Sequence, residues 1–389
     1  MLLGVALDGA DSPRGGCTTH LAALILRELC HEGYTLYDYP WLVRLNPTVP
    51  MKTRGNGAIA LWLLVDTRLE ADKVWRLVRR SLSDYARATG SAEKAAAALI
   101  LLDGETLKVR PAPLRLLYYR AVSDYVPRET ALQIAKLTSA ELYTVGGGVV
   151  GPLAALGADM AYDHTFELLL YMPPHLWGKR PRLPDQLVLE VRYRLGPDDI
   201  ATYDPLSRRP LIQPHGPDPV LAGIRSEHAE PLATIPGLIP SEYYELYAIY
   251  RTNQHTDAHL QPRAISEMKP YRCGIVEAYV ESVEKLPGGH TILHACDETG
   301  CIDAALYRET RLAEHAERLL GHRVRIAGCV KPHRRRLTLN TEKIDAGIGL
   351  LEPPPSAWHH LYMPGYRYER VTRPRGLKPP RDPCGSTAH

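Results

Sequence analysis

The sequence predicts a multidomain α+β protein that ends in an OB-fold β-barrel. Three observations predict it. The chain has 389 residues, more than one hydrophobic core usually serves. Strand-like and helix-like segments alternate through its N-terminal half. From Arg272 the apolar period drops to two, in the order three strands, a helix and two strands, which is the order of an OB-fold.

Leu2 to Leu7 is an apolar run that ends at Asp8, as a buried strand would. Gly9, Asp11, Ser12, Pro13, Gly15 and Gly16 then form a glycine-rich turn. From Thr18 the apolar residues Leu21, Leu24, Ile25 and Leu29 recur at helical spacing behind Thr18 or Thr19 as the cap. A loop between a strand and a helix N-terminus offers backbone N–H groups and a positive dipole end, so phosphate is its natural ligand. A second glycine-rich element, Lys52-Thr-Arg-Gly-Asn-Gly57, leads into an apolar strand over Ala58 to Val65. Residues 68–140 have a mainly helical pattern, with Ala95 to Leu102 and Ala131 to Leu137 among the helical segments. A third glycine cluster, Gly146 to Gly151, precedes a helix-like Leu153 to Leu156, and Asp163 to Glu167 enters a strand over Leu168 to Tyr171. Residues 172–190, rich in proline and basic residues, suit a surface connection, and Pro214 to Pro219 is a turn-dense loop.

In the barrel region, strands are expected over Gly274 to Val283, Thr291 to Cys296, Cys301 to Tyr307, Arg323 to Val330 and Arg336 to Asn340, with a short helix over Leu312 to Leu320. A basic turn, Lys331 with Arg334, Arg335 and Arg336, joins the last two strands. The tail beyond Glu352 carries Tyr366 and Tyr368 among Arg367, Arg370 and further basic residues. Phosphate tracking with base stacking and a plain solvated terminus both fit it.

Composition narrows the class. A hydrophobic share of 45% with 23% charged residues excludes a disordered chain, and no apolar run approaches a membrane span. Met1 to Asp11 lacks a basic leader and runs into acidic residues, so it suits a strand rather than a signal peptide, and a cytoplasmic protein is expected. The net charge of +3 is too mild to identify a nucleic-acid partner by itself. The seven cysteines, at 17, 30, 273, 296, 301, 329 and 384, include no CxxC pair. Neither a disulfide framework nor a zinc ribbon is expected, and Cys296 and Cys301 are expected to be a pair of strand cysteines. Only four asparagines occur, Asn46, Asn56, Asn253 and Asn340. Purging of heat-labile amides would leave the survivors where the side chain is needed.

Asp8 and Asp11, at a strand end beside glycines, stand where Mg²⁺-bridged phosphates need hard oxygen ligands. Turn-forming aspartates are the alternative. With Arg54-Gly-Asn-Gly57 and Asp163 they make up the parts of a phosphoryl-transfer site, namely metal ligands, cationic clamp and phosphate loops. Thr18 either caps its helix or, beside bound ATP, accepts a phosphoryl group; the residues leave both open.

Taken together, Asp8 to Thr19, Leu45 to Gly57, Gly148 to Gly157 with Asp163 to Glu167, Pro217 to Arg225, Arg251 to Leu260 and Leu339 to Ile344 resemble the archaeal tRNA-Ile 2-agmatinylcytidine synthetases (TiaS). The resemblance implies a kinase-like α/β domain over residues 1–195, a ferredoxin-like domain over 196–268 that interleaves with it, the OB-fold over 269–347 and a basic tail over 348–389. It implies ligation of agmatine to C2 of the wobble cytidine of isoleucine tRNA with the CAU anticodon. ATP and Mg²⁺ would first phosphorylate the C2 oxygen, ATP ending as AMP and two phosphates. Asp8, Asp11 and Asp163 match acidic positions expected to hold Mg²⁺ or assist transfer, and Thr18 matches the autophosphorylated threonine. Gly15, Gly16, Lys52, Arg54, Gly55, Asn56, Gly57 and Gly148 are expected to contact nucleotide or phosphate, and Lys331, Arg334, Arg335, Arg336, Arg367 and Arg370 to contact tRNA.

The sequence departs from the family pattern twice. Where the family has Asp-Asp-Thr-Asp, this chain has Asp8-Gly9-Ala10-Asp11, one carboxylate and one hydroxyl fewer. The family's four-cysteine zinc ribbon is not found after Lys343, so no zinc is expected. These departures motivate a rival, a non-catalytic tRNA-binding protein on a decayed ATP site; a nucleotide kinase acting on another RNA or amine is a third reading.

Overall fold

The computed structural model describes residues 1–103, 110–161, 163–179, 181–204, 207–214, 216, 218–333, 336–347 and 350–352. The first body runs β1 (Leu2–Asp8), α1 (Thr18–His31), β2 (Trp41–Arg44), β3 (Gly57–Leu64), α2 (Arg68–Thr89), β4 (Ala96–Leu102), α3 (Ala112–Ser123), α4 (Arg128–Leu137), β5 (Glu141–Thr144) and α5 (Val150–Gly157). It continues with β6 (Thr165–Tyr171), α6 (Asp185–Leu195), β7 (Asp199–Ile200), the small ribbon β8 (Tyr203–Asp204) and β9 (Arg209–Pro210), β10 (Val220–Ser226), α7 (Ala229–Ala233) and β11 (Leu246–Thr252). One nine-stranded sheet collects these strands in the order β5-β4-β1-β3-β2-β11-β6-β10-β7.

β1 is apolar throughout because both its edges are paired and both its faces are covered. Leu3, Val5 and Leu7 pack under α1 and α2 with Leu21, Ile25, Val74 and Val78. Leu2 and Ala6 face the opposite layer, where Leu117 of α3, Ala131 of α4 and Leu153 of α5 close over Trp62. Farther along, Leu168 and Leu170 of β6 and Ile224 of β10 are covered by Val188 and Val191 of α6 and Leu232 of α7.

Several expectations are corrected here. Ala95 to Leu102 is not helical: β4 occupies Ala96–Leu102 and pairs antiparallel with β1, Leu2 opposite Leu102 and Asp8 opposite Ala96. An unbroken apolar run buried on two faces shows no period, so helix and strand are indistinguishable by pattern there. The proline-rich connection over 172–190 contains the first turns of α6. Neither Thr18 nor Thr19 is the cap of α1; Cys17 is, with an extended backbone and no side-chain cap bond.

The second body is the barrel: β12 (Cys273–Lys285), β13 (Thr291–Asp297), β14 (Gly300–Leu306), a 3₁₀ segment over Leu312–Leu319, β15 (Arg323–His333), β16 (Arg336–Asp345) and β17 (Leu350–Leu351). Parallel pairing of β14 with β16 closes it, and the expected short helix is the 3₁₀ segment. Its core holds Val276, Val280, Leu293, Ile302, Val324, Ile326 and Leu339.

The cysteine expectation is also corrected. Two disulfides form, Cys273–Cys329 and Cys296–Cys301. Each joins residues directly opposite on neighbouring strands, β12 with β15 and β13 with β14. Cross-strand register, which cysteine spacing does not display, brings these side chains together.

All four asparagines are buried and bonded. Asn46 Nδ2 donates to the Tyr271 carbonyl at 2.6 Å, tying the sheet body to the barrel. Asn56 Nδ2 donates to the Asn46 carbonyl, Asn253 brackets Arg44 through its amide N–H and carbonyl, and Asn340 accepts from the Tyr307 hydroxyl.

Candidate functional site

β1 runs antiparallel to both β3 and β4, so its C-terminal end at Asp8 meets the loops that precede those two strands. β5 ends beside the start of β4, Thr144 opposite Ala96, so the third glycine-rich loop arrives at the same end and topology gathers all three. Gly9 (φ +78°) lies so close to Lys94 that a Cβ would overlap the Lys94 carbonyl oxygen. Gly148 abuts the same carbonyl, and a Cβ on Gly151 would overlap an Asp8 carboxylate oxygen. Gly9 is thus required by its surroundings in this chain. The third loop and the start of α5 form one wall against Asp8.

Gly15 (φ +111°) and Gly16 (φ +85°) turn the chain into α1, with the Gly15 amide donating to the Ser12 carbonyl at 3.2 Å. α1 carries no acidic residue in its first turn and no side-chain cap. Its N-terminal N–H groups and dipole therefore stay directed at this loop. Tyr85 of α2 supports the turn, its hydroxyl accepting from the Cys17 amide at 3.0 Å.

The buried Thr18 hydroxyl accepts from the Ala10 amide at 3.1 Å and donates to Asp11 Oδ2 at 3.0 Å. Arg54, almost fully buried, reaches Asp11 Oδ1 at 3.4 Å and Asp218 Oδ1 at 2.6 Å, and donates to the Gly16 carbonyl. One guanidinium thus ties the first loop, the second loop and the loop before β10. Charge-assisted bonds of this kind are among the strongest a site can use.

Burial, with Asp11 nearby, raises the Asp8 carboxyl to about 7, against the Gly9 amide and Lys94, which favour its charged form. Lys52 is lowered to about 8 by burial and by the charges of Lys331 and Arg44; its Nζ donates to the Arg54 carbonyl at 3.2 Å. Burial, Asp11 and Asp218 push the Cys17 thiol up to about 12, which keeps it protonated. Asn56 takes a left-handed conformation (φ +43°) at the end of the second loop. Arg44 lies across Gly55 and Gly57, its Nη1 filling the space that a Gly55 Cβ would need.

Asp163 belongs to a different set of contacts. Burial and Asp257 raise its carboxyl, while His164 opposes the shift, and His164 stacks edge-on against Phe166. Asp163 thus sits at the entrance to β6 rather than in the Asp11–Arg54–Asp218 network. The charge of Lys331 of β15 helps to depress Lys52. Arg336 begins β16. Arg334, Arg335, Arg367 and Arg370 lie outside the described residues.

Sequence reasoning missed Asp218, Tyr85, Lys94 and Glu167. Asp218 stood inside the turn-dense Pro214 to Pro219 loop, where an aspartate among prolines resembles an ordinary turn former. Glu167, 2% exposed, is held by Arg225 Nε at 3.1 Å and Arg44 Nη2 at 3.5 Å. Tyr85, in the middle of α2, carries no local signal.

The arrangement has the elements of a phosphoryl-transfer centre: carboxylates, buried cations and an open helix N-terminus around one strand end. Family models described as the TiaS TCKD domain and the TiaS FLD domain match residues 4–67 and 146–259. The chain is 41% identical to the isoleucine-tRNA 2-agmatinylcytidine synthetase TiaS of Hyperthermus butylicus over 99% of its own length and 96% of that protein. The protein of the same name from Thermofilum pendens is 37% identical, covering 87% and 77% respectively. The fold superimposes on a solved complex of TiaS with isoleucine tRNA and ATP with a TM-score of 0.80 and 25% identity, over 95% of this chain and 99% of that one. An apo TiaS structure gives 0.74 at 26% identity, over 89% and 80%.

Proposed function

Because the chain belongs to the isoleucine-tRNA 2-agmatinylcytidine synthetase (TiaS) family, we propose that it uses ATP to join agmatine to C2 of the wobble cytidine in isoleucine tRNA bearing the CAU anticodon. The observation that carries this reading, beyond kinship, is the Thr18–Asp11–Arg54–Asp218 network at the end of β1, below the uncapped N-terminus of α1.

The chemistry requires a better leaving group at C2. The C2 oxygen of cytidine is amide-like and leaves poorly. Once it carries a phosphoryl group, the primary amine of agmatine attacks C2, the C2–O bond breaks, and phosphate departs with the electron pair. Asp11 is placed to accept the Thr18 proton when that hydroxyl takes up a phosphoryl group. The N–H groups around Gly15, Gly16 and the start of α1 suit the polyphosphate, with Lys52 and Arg44 adding positive field. Arg54 holds the loops in register, and Asn56 and Gly57 shape the second loop.

Asp8, Asp11 and Asp218 present hard oxygen donors around one loop cluster, the donor set that Mg²⁺ prefers. Bound there, Mg²⁺ would neutralise phosphate charge, and its presence would keep Asp8 ionised at neutral pH. Asp163, with Asp257 beside it, is retained as a further acidic group of the proposed centre.

Docking of tRNA is assigned to the barrel and the basic residues Lys331, Arg334, Arg335, Arg336, Arg367 and Arg370. The charge of Lys331 is felt at Lys52, which favours a path from barrel to reaction centre. For the units, we propose a nucleotide-handling part over 1–195, a ferredoxin-like part over 196–268 interleaved with it, the OB-fold over 269–347 and the tail over 348–389. The FLD match begins at residue 146 and β11 pairs with both β2 and β6, in keeping with interleaving. Among the described residues no helix is long and apolar enough to cross a membrane.

The test follows ATP carrying label in its α-phosphate. AMP production that requires both the CAU-anticodon isoleucine tRNA and agmatine supports the reading. Turnover to ADP without agmatine would point instead to a kinase acting on another acceptor.

A further inference from the structure

We propose that the outer face of the barrel carries a zinc site built from Glu281, His294, Cys296 and Cys301, formed when the Cys296–Cys301 disulfide is reduced. The proposal is independent of the tRNA reaction.

Strand alternation supplies three of the four groups. Leu293 and Ala295 of β13 and Ile302 and Ala304 of β14 fill the core, so His294, Cys296 and Cys301 share the outward face. Cys296 stands opposite Cys301. The fourth group arrives through an irregularity. The register of β12 against β13 shifts between Val280, opposite Ala295, and Ser282, opposite His294, which makes Glu281 the extra residue. Val280 fills the core, so Glu281 points outward, and the bulge sets it between the positions opposite His294 and Ala295. One ligand atom from each of the four lies within 4.8 Å of the others.

His294 is already oriented as a ligand would be. Its Nδ1 bonds Asp303 Oδ1 at 3.0 Å, the carboxylate–imidazole pairing that typically fixes a metal-binding histidine, and this leaves Nε2 for the ion. Zinc–sulfur and zinc–nitrogen bonds of about 2.3 and 2.0 Å set tetrahedral ligands roughly 3.3–3.8 Å apart, so the two sulfurs move apart once their bond is reduced while the other groups close slightly. A groove lined by Ile265, Met268, His294, Cys301 and Asp303 gives the ion access. The other cysteine-containing clusters are less suited. His259, Cys329 and Glu342 offer three groups at the seam between the bodies, where His259 already pairs with the buried Glu342. Asp11, Cys17 and Asp218 surround Arg54.

A dithiol donates two electrons and two protons to the disulfide, becoming a disulfide itself and leaving two thiols. Zinc then displaces both thiol protons to solvent as the thiolates bind it.

The test is Co²⁺ titration of the full chain, reduced anaerobically with a phosphine so that no dithiol competes for metal. One Co²⁺ per chain with thiolate charge-transfer and tetrahedral ligand-field bands is expected, displaced stoichiometrically by Zn²⁺ and absent from the oxidised protein. The bands should vanish in Cys296→Ser/Cys301→Ser, persist in Cys273→Ser/Cys329→Ser, and His294→Ala should weaken binding by about tenfold or more. His294→Ala keeps every cysteine, so it decides the matter if a cysteine variant fails to fold. Absence of these bands in the reduced wild type, their survival without Cys296 and Cys301, or unchanged affinity in His294→Ala would overturn the proposal.

Discussion

Arg54 and Asp218 form a 2.6 Å ion pair between the second glycine loop and the loop that leads into β10. The same guanidinium contacts Asp11 and the Gly16 carbonyl, so the pair determines where the Thr18 loop sits. Asp218→Asn should lower ligation by about tenfold to a thousandfold, in line with losses when a single preorganised group is removed. Circular dichroism should change little, while the melting temperature should fall because the buried Arg54 loses a charged partner. Retention of full activity with Asp218 gone would show that the loop before β10 is not part of the centre.

Two shifted groups predict a bell-shaped pH profile for kcat/KM. Asp8, raised to about 7 in the metal-free site, ionises above that pH, so activity should rise through about pH 7 at limiting Mg²⁺, and the limb should move to lower pH as Mg²⁺ is raised. Lys52, lowered to about 8, loses its charge above that pH, and activity should fall. Asp8→Asn should remove the rising limb and Lys52→Met the falling one, each at a lower plateau. Profiles whose limbs stay in place in both variants would assign them to other groups.

The same shift has a stability consequence without ligands. The folded state holds the Asp8 proton more tightly than the unfolded chain does, so stability is lost as pH rises from about 4 to about 7 and does not return above it. Asp8→Asn carries no such charge and should therefore melt higher than wild type at pH 8. The two should converge near pH 4. Differential scanning calorimetry across that range reads the sign directly.

Gly151 packs on the Asp8 carboxylate, and Gly9 on the Lys94 carbonyl. Gly151→Ala pushes against a side chain and should cost activity more than stability. Gly9→Ala meets backbone in a left-handed conformation and should cost about 1–3 kcal/mol of stability. Restoring an acidic residue with Gly9→Asp should for the same reason destabilise the chain rather than improve it. A more stable Gly9→Asp variant would contradict this geometry.

Asn46 bonds the Tyr271 carbonyl, accepts from the Thr48 amide and hydroxyl, and receives the Asn56 amide at its own carbonyl. Asn46→Ala leaves buried polar groups without partners and should cost about 1–3 kcal/mol. Chemical denaturation should show the loss, and hydrogen exchange should show it concentrated at Tyr271 and the Lys52 loop.

Much of the fold was legible because composition and period carry it. β1, the helical spacing after Thr18 and the period-two barrel strands appear where the sequence places them. Ala96–Leu102 was not legible, because burial on both faces erases periodicity. The disulfides were not legible either: opposition of Cys273 with Cys329 is a fact of register, which spacing along the chain does not display. At the site, Asp8, Asp11, Thr18 and Arg54 carried motif signals. Asp218 and Tyr85 did not, since their contribution depends on packing between distant segments. Asp163 had a motif signal, yet its contacts form a second acidic group with Asp257.

The most direct test of the central claim is the mass of the wobble nucleoside after purified protein is incubated with unmodified CAU-anticodon isoleucine tRNA, ATP, Mg²⁺ and agmatine. The account predicts an agmatine adduct at that cytidine with wild type, and none with Thr18→Ala or Asp11→Asn although both variants still bind tRNA. An unmodified cytidine from wild type that binds the tRNA normally would contradict it and leave a tRNA-binding protein on a decayed nucleotide site.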